Sequence, residues 1–207
     1  IDGEEVNPEL VVESALKQNC KSIAYTYTEP TIFMELCNDC GKIAKQRGLK
    51  NVFVSNGYMT PEAIDFASPW LDSIKYIAKK TDIWLEVTTL IIPGQNDSEE
   101  ELKAMAEFIA NEAGVDVPWH ISRYFPAYKY KNHATAVEEL EMAEEIGKQA
   151  GLRYIYLGNV PGSEGESTFC YKCGQKVIER LGYRLNRKNL TDSKCEKCGT
   201  EIAGFEL

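Results

Sequence analysis

Hydrophobic and polar positions follow two alternating periods along this chain. Short apolar runs rich in β-branched residues are predicted to be strands; they cover residues 21–27, 50–55, 83–92, 118–125 and 153–158. Between them, apolar residues recur every three or four positions, as in helices. After Ser98, one helical face carries Leu102, Met105, Ala106, Ile109 and Ala113. Strands that alternate with helices form parallel βαβ units. The pattern therefore predicts an α/β fold, with a partial parallel (β/α) barrel as its architecture.

Polar residues mark the predicted helix starts. Asn7 and Thr60 each precede a proline, which is favoured at the first helical position. Two further starts have capping-box spacing: Ser98 with Glu101, and Thr135 with Glu138.

The alternation of strands and helices fails once. The helix predicted after Thr60 runs into residues 68–73, and a second short helix, Ile74 to Lys80, follows without a strand. Judged by typical unit sizes, about one βα unit is absent between Leu71 and Ile74. Either the sequence joins two segments across an omitted stretch, or the protein has lost the unit. The first is favoured, because the second helix is short and uncapped; by the same logic, Ile1 begins mid-domain.

Polar residues stand where the predicted strands end. Glu29 follows the first strand, Ser55-Asn56-Gly57 the second, and Thr88 lies in the third. In parallel β/α folds the carboxyl ends of the strands converge on one rim, where ligands bind. We therefore expect a binding site at this rim.

Three segments resemble a known family: Tyr27-Thr28-Glu29-Pro30, residues 55–62 (SNGYMTPE) and residues 158–162 (GNVPG). They resemble radical S-adenosylmethionine (SAM) enzymes related to the pyruvate formate-lyase activating enzyme, and most closely the AmmeMemoRadiSam system radical SAM enzymes. The resemblance implies reductive cleavage of SAM at a 4Fe-4S cluster. The product is a 5′-deoxyadenosyl radical that abstracts hydrogen, with glycyl-radical installation on a protein as one outcome.

The resemblance also implies cofactor-binding residues. Glu29 would accept hydrogen bonds from the SAM ammonium group, although many members have Gly-Gly-Glu where this chain has Tyr27-Thr28-Glu29. Other implied contacts lie beside the sulfonium, ribose or methionyl carboxylate: Ser55, Asn56, Gly57, Thr88, Thr89 and His120. Structural alternatives stay open. The alternatives are that Glu29 is a helix-start acid, that Asn56-Gly57 is a plain turn, and that His120 is a core histidine, the more common role for such a residue.

The cysteine triplet that holds the 4Fe-4S cluster in this family, Cys-x3-Cys-x2-Cys, does not occur in the sequence. The resemblance places it upstream of Ile1. Cys37 and Cys40 lie within an apolar-periodic helix without a turn to wrap a metal, so core positions are favoured for both. Cys20 is predicted to be a small buried hydrophobe.

Four C-terminal cysteines form two Cys-x2-Cys-Gly motifs, Cys170/Cys173 and Cys195/Cys198. Glycine permits the left-handed turn of such a knuckle, and two knuckles make a tetrahedral four-thiolate site of ribbon or rubredoxin type. Zinc is favoured over iron. Residues 176–190 between the knuckles are predicted to form a hairpin. The predicted domains are thus a partial barrel over residues 1–162 and a metal module over residues 163–207. For the metal module, a structural role as a staple is favoured over contact with a substrate or nucleic acid.

Composition narrows the function further. The 207 residues contain no run long enough for a membrane span, and the net charge of -9 argues against binding to nucleic acid or anionic membranes. Seven cysteines without a secretory signal indicate a reducing compartment, the cytoplasm.

The expected partners are a protein or small-molecule substrate and an electron donor such as ferredoxin or flavodoxin. The rival hypothesis is a zinc-ribbon scaffold on a degenerate barrel without radical chemistry. A metal-dependent hydrolase is disfavoured because two histidines do not build the usual ligand set.

Overall fold

The computed structural model describes residues 6–55, 71–182 and 184–204. Contacts divide the chain into two compact units, Ile1–Trp70 and Leu71–Leu207. The helix predicted after Thr60, and with it Asn56 and Gly57, lies outside the described residues.

The first unit is a βαβ arrangement. Its described elements are α1 (Pro8–Lys17), β1 (Ser22–Tyr25), a 3-10 turn (Pro30–Phe33), α2 (Met34–Gln46) and β2 (Lys50–Phe53). β1 and β2 pair in parallel. The Asn7 side chain accepts a hydrogen bond from the Glu9 backbone at 2.8 Å, which confirms the predicted N-cap. Val12, Ala44 and Leu49 are buried between these elements.

The second unit begins with alternating helices and strands. Its elements are α3 (Leu71–Lys80), β3 (Val87–Ile91), α4 (Glu99–Phe108), a π turn (Ile109–Ala113), β4 (Trp119–Arg123), α5 (Val137–Gln149) and β5 (Ile155–Gly158). β3, β4 and β5 form a parallel sheet in that order. All five predicted strands are confirmed, each with shorter ends. The parallel α/β architecture is confirmed, and a partial barrel stays a prediction.

The two faces of this sheet differ in polarity. One face buries Ile91, Trp119, Ile121 and Leu157 against apolar residues of α4 and α5. Paired residues of neighbouring strands point to the same side, and Thr88 pairs with His120, which pairs with Tyr156. The opposite side, here called the open face, therefore carries Thr88, Leu90, His120, Ser122 and Tyr156. Thr88 and Leu90 are exposed.

The helix starts were predicted with mixed success. Ser98 caps α4 as expected and accepts a hydrogen bond from the Glu101 backbone at 3.3 Å. The cap of α5 was placed one residue too early. The N-cap is Ala136, whose N–H donates to the Glu139 carboxylate at 2.7 Å.

Thr135 is fully buried instead of capping α5. Its hydroxyl accepts from the Tyr124 backbone at 3.0 Å and donates to the Ile91 carbonyl at 2.6 Å. The predicted cap did not form because the Thr135 hydroxyl instead bonds two buried backbone groups, the Tyr124 N–H and the Ile91 carbonyl.

Helix α3 runs without interruption through the position where the missing unit was placed. It begins at Leu71, three residues before the predicted start at Ile74. The omission of a βα unit between Leu71 and Ile74 stays a prediction. Lys75 and Lys79 lie 3.3 and 3.2 Å from the Glu112 carboxylate. These pairs tie the helix to the π turn after α4, which the sequence pattern did not show.

The C-terminal cysteine module, residues 163–207, is built from short antiparallel strands. They are β6 (Thr168–Phe169), β7 (Lys176–Leu181), β8 (Arg184–Lys188), β9 (Leu190–Thr191) and β10 (Lys194–Cys195), after a 3-10 turn, Glu164–Glu166. β7 and β8 confirm the predicted hairpin. Val177, Ile178 and Ile202 form a core with Tyr154, which precedes β5. The module thus packs on the edge of the sheet, while a domain boundary at 162/163 stays a prediction.

Among the described residues, no helix is long and apolar enough to cross a membrane.

Two mid-helix glycines give a matched test of this packing. A Cβ on Gly147 in α5 would stand 2.6 Å from Ile155 and 3.0 Å from the Trp119 ring, whereas one on Gly41 in α2 would meet only Asn51, at 3.6 Å. We expect Gly147→Ala to lower the free energy of unfolding by about 1–3 kcal/mol through overpacking. Gly41→Ala should raise it by up to about 1 kcal/mol through helix propensity. Urea unfolding measures both, and equal effects would contradict the packing described here.

Candidate metal centre and cofactor site

The four C-terminal thiols converge on one point. Cys170 and Cys198 have their sulfur atoms 3.6 Å apart, Cys173 and Cys195 have theirs 3.7 Å apart, and all four lie within 4.8 Å of one another. Disulfide sulfurs are about 2.05 Å apart, so these are free thiols. In a tetrahedral site with metal–sulfur bonds of about 2.3 Å, neighbouring sulfurs are about 3.8 Å apart. The four cysteines therefore fit a tetrahedral metal ion, which confirms their predicted convergence.

The two knuckles have the same backbone geometry. Gly174 and Gly199 have φ angles of 69° and 68°, the left-handed region that glycine adopts readily. In each knuckle the glycine N–H donates at 2.8 Å to the carbonyl of the first cysteine. The N–H of that cysteine donates to the carbonyl five residues on, that of Gln175 or Thr200, at 2.8 and 2.9 Å. Two equivalent turns thus present two thiols each to a shared centre.

Hydrogen bonds set the proton affinity of the metal-free thiols. The Thr200 hydroxyl, 3.2 Å from the Cys198 sulfur, and the Thr200 backbone N–H lower the pKa of Cys198 to about 6. At Cys173 a backbone hydrogen bond at Gln175 lowers the pKa, but desolvation and the neighbouring thiols outweigh it and raise the pKa to about 12. Thiolates are the metal-binding form. Metal binding must therefore release protons and weaken as the pH falls.

At the tips of β1 and β2 the structure brings together two of the predicted cofactor-binding residues. The Ser55 hydroxyl donates to the Glu29 carboxylate at 2.6 Å. Glu29 occupies the N-cap of the Pro30–Phe33 turn, as the helix-start alternative required, but its side chain makes no capping hydrogen bond. The carboxylate is thus committed to the neighbouring strand end.

Tyr27 stands where many proteins of the resembled family have glycine. Its φ of 69° is in the left-handed region, which costs a residue with a side chain more than it costs glycine. The Tyr27 side chain is fully exposed. The turn that leads to Glu29 therefore has a left-handed backbone at a residue other than glycine.

Thr88 and Thr89 face opposite sides of β3. Thr88 is exposed on the open face. The hydroxyl of Thr89 accepts a hydrogen bond from the Trp119 indole at 2.9 Å on the packed face. Thr89 was therefore wrongly predicted to reach a cofactor, because the buried indole N–H requires its oxygen. Convergence of Thr88 and His120 with Glu29 and Ser55 stays a prediction, since the two pairs belong to different units.

His120 is half-buried on the open face rather than enclosed in the core. Its Nε2 lies 2.6 Å from the Glu86 carboxylate, and its ring stacks on Tyr156 with centroids 5.0 Å apart. The hydrogen bond with His120 is the main cause that lowers the pKa of Glu86. Glu86 was not predicted to be a site residue. The available signal was its position two residues before Thr88, which places the two side chains on the same side of the chain.

The other cysteines do not form a cluster site. Cys37 and Cys40 are buried beside Tyr25, as predicted, and burial raises the pKa of Cys37 to about 11. Cys20 is exposed, contrary to prediction, because it lies in the turn between α1 and β1, directly after Asn19 with its φ of 57°. In residues 6–55, 71–182 and 184–204, the cysteine module supplies the one group of three or more thiols. These residues therefore do not fit a three-thiolate 4Fe-4S cluster.

The knuckle geometry predicts one tightly bound metal per chain. We expect elemental analysis to find one equivalent and X-ray absorption to find four sulfurs at about 2.3 Å. Cys198→Ser should lose the metal and the order of residues 163–207, because the site supplies folding energy there. The exposed Cys20→Ser is the matched control and should keep the full equivalent. Full metal retention in Cys198→Ser would contradict the site.

The fold was compared with those of known proteins. No family model matches the chain. A domain of the pyruvate-formate lyase-activating enzyme from Bacteroides vulgatus superimposes with a TM-score of 0.54 and 19% identity, over 67% of this chain and 99% of that one. A radical SAM methyltransferase from Sphaerobacter thermophilus superimposes with a TM-score of 0.56 and 12% identity, over 77% of this chain and 60% of that one. The chain thus shares the fold of radical SAM proteins.

A curated relative is much closer in sequence. The uncharacterized protein MJ0808 of Methanocaldococcus jannaschii is 39% identical over 225 residues, covering 96% of this chain and 67% of the relative. That alignment is longer than the chain's 207 residues, so the relative carries residues within the matched stretch that this chain lacks. The chain belongs to the family of MJ0808.

Proposed function

We propose that this protein is a radical SAM enzyme, possessing a 4Fe-4S cluster and binding SAM at the strand ends of its parallel β/α fold. When bound, cluster and SAM together supply a 5′-deoxyadenosyl radical for hydrogen abstraction. Installation of a glycyl radical on a partner protein is the finer form of this proposal. The proposed partners are a protein or small-molecule substrate and an electron donor such as ferredoxin or flavodoxin.

The observation that carries the proposal is the pairing of Glu29 with Ser55. Two parallel strands, β1 and β2, end side by side and place a carboxylate and a hydroxyl 2.6 Å apart. A carboxylate in this position offers an acceptor for an ammonium group through charge-assisted hydrogen bonds. Ser55 fixes the orientation of that carboxylate. The fold shared with radical SAM proteins supports the proposal.

The cluster requires ligands that the described residues do not contain. Cys37 and Cys40 are buried in α2, and the knuckle cysteines fit a single tetrahedral ion. The proposal therefore assigns the cluster thiolates to another part of the protein. What this chain contributes is the binding and orientation of SAM and substrate.

The cysteine module is proposed to be a zinc ribbon that serves as a structural staple. Its core of Val177, Ile178 and Ile202 is small, and domains of this size commonly need a metal to fold. Four thiolates favour zinc.

Reconstitution of the natural full-length protein tests the proposed activity. We expect anaerobic treatment with iron and sulfide to give a 4Fe-4S spectrum. Dithionite and SAM should then yield 5′-deoxyadenosine by chromatography. A protein that takes up zinc, forms no cluster and leaves SAM intact would overturn the proposal and favour the zinc-ribbon scaffold.

The role of Glu29 is tested separately in the reconstituted protein. We expect Glu29→Ala to weaken SAM binding by about 1.5–3 kcal/mol, the range for a hydrogen bond to a charged group. Equilibrium dialysis measures the affinity. Glu35→Ala removes an exposed carboxylate one turn further on and should leave SAM affinity and zinc content unchanged. If Glu29→Ala behaves as Glu35→Ala does, Glu29 is merely a helix-start acid.

A further inference from the structure

A polar cluster occupies the amino-terminal half of the open face. Glu86 directly precedes β3, His120 is the second residue of β4 and Tyr156 the second residue of β5. Ligand residues in parallel β/α folds are ordinarily found at the carboxyl ends of the strands. This cluster lies instead at the amino-terminal ends of β3, β4 and β5.

The imidazole of His120 is held from two sides. Glu86 binds its Nε2 at 2.6 Å, and the same carboxylate accepts a hydrogen bond from the Trp84 indole at 2.8 Å. The Tyr156 ring stacks on the imidazole at an interplanar angle of 27°. A carboxylate fixed by two partners and an aromatic platform leave His120 one well-defined orientation.

The cysteine module adds a guanidinium to this cluster. Arg180 of β7 donates to the Thr168 hydroxyl at 2.7 Å and to the Glu166 carbonyl at 3.3 Å. Its guanidinium lies 5.6 Å from the centre of the Tyr156 ring, and the Tyr156 hydroxyl in turn bonds Thr168 at 2.9 Å. Arg180 is also close enough to contribute to the lowered pKa of Glu86. Two parts of the second unit, sheet and module, thus meet at one polar site.

The donors in this cluster exceed its acceptors. Both hydrogen bonds of Arg180 to described residues leave from Nη1, whereas a guanidinium carries five N–H donors in a planar fork. His120 adds a ring that Glu86 holds through its Nε2. Guanidinium forks recognise carboxylates and phosphates. Among the described residues, the fork of Arg180 therefore keeps donors that an anionic ligand on this face can use.

We propose that Arg180 and His120 form a binding site for an anionic group, a carboxylate or phosphate, of a ligand that lies on the open face. In this site the cysteine module has a function beyond a staple, because it delivers the guanidinium. Arg180 is the principal anion-binding residue, Thr168 and Tyr156 fix its position, and Glu86 orients His120. The proposal does not depend on SAM chemistry, so it stands or falls separately from the proposed function.

Histidine NMR tests the site directly in the metal-loaded protein. The chain has two histidines, so His133→Gln leaves the C2–H resonance of His120 alone. Among the described residues, Glu86 bonds that ring and Tyr156 stacks on it, and Arg180 lies over the Tyr156 ring. Glu86→Gln should displace that resonance, because it removes the charge of the carboxylate bonded to the ring, and this confirms the assignment.

Inorganic phosphate and acetate are then titrated at constant ionic strength in that background. We expect a saturable displacement of the His120 resonance, because a bound anion changes the electrostatic environment of the ring. A response to phosphate alone identifies a phosphate site, and a response to acetate identifies a carboxylate site. No saturable response to either anion would overturn the proposal.

Variants in one hairpin separate specific binding from general charge effects. Arg180→Gln should weaken the anion response at least about tenfold, the loss of a charged hydrogen bond. Arg184→Gln removes an exposed arginine of the same hairpin and should leave the response unchanged. If Arg180→Gln lowers the metal content, Arg180→Lys is used, which keeps the charge but loses the fork; it should retain metal and bind the anion more weakly than the parent. Equal responses in the Arg180 and Arg184 variants would refute the assignment.

Discussion

Burial of the Trp119 side chain is the constraint on which the second unit depends. The residue is fully buried, and a buried indole needs a hydrogen-bond acceptor as well as apolar contacts. Thr89 supplies the acceptor at 2.9 Å, and Gly147 lets α5 approach the ring closely. Because side chains alternate along a strand, fixing Trp119 inward fixes His120 outward. The polar character of the open face thus follows from the packing of the opposite face.

The cysteine module packs against the same sheet through residues of β5 and the segment before it. Tyr154, just before β5, is buried in the module's core, and its hydroxyl accepts a hydrogen bond from the Ala203 backbone at 2.9 Å. Two residues on, Tyr156 contacts both His120 and Thr168. A short stretch of one strand therefore connects the cysteine core to the polar cluster. The metal proposed to order residues 163–207 would consequently also determine where Arg180 lies.

Local rules succeeded where a residue's role depends on its immediate neighbours. The Asn7 cap, the Ser98 cap and the two glycine turns of the knuckles formed as expected, because each is closed by hydrogen bonds within a few residues. The same rules failed at Thr135 and Cys20. Thr135 was taken into the core by backbone groups distant in sequence, and Cys20 lies in an exposed turn.

The sequence by itself determined the parallel α/β class, the positions of five strands and the four metal-binding cysteines, because periodicity and motif spacing encode local geometry. It also singled out Glu29 and Ser55, since polar residues at strand ends are visible in a linear pattern. Only the tertiary structure decided that Glu86 pairs with His120 and that Arg180 joins them. Those contacts span 34 residues within the sheet and continue into a separate module, and no short-range pattern specifies such a distance. Sequence periodicity determines which side of a strand a residue occupies, whereas packing determines what it meets there.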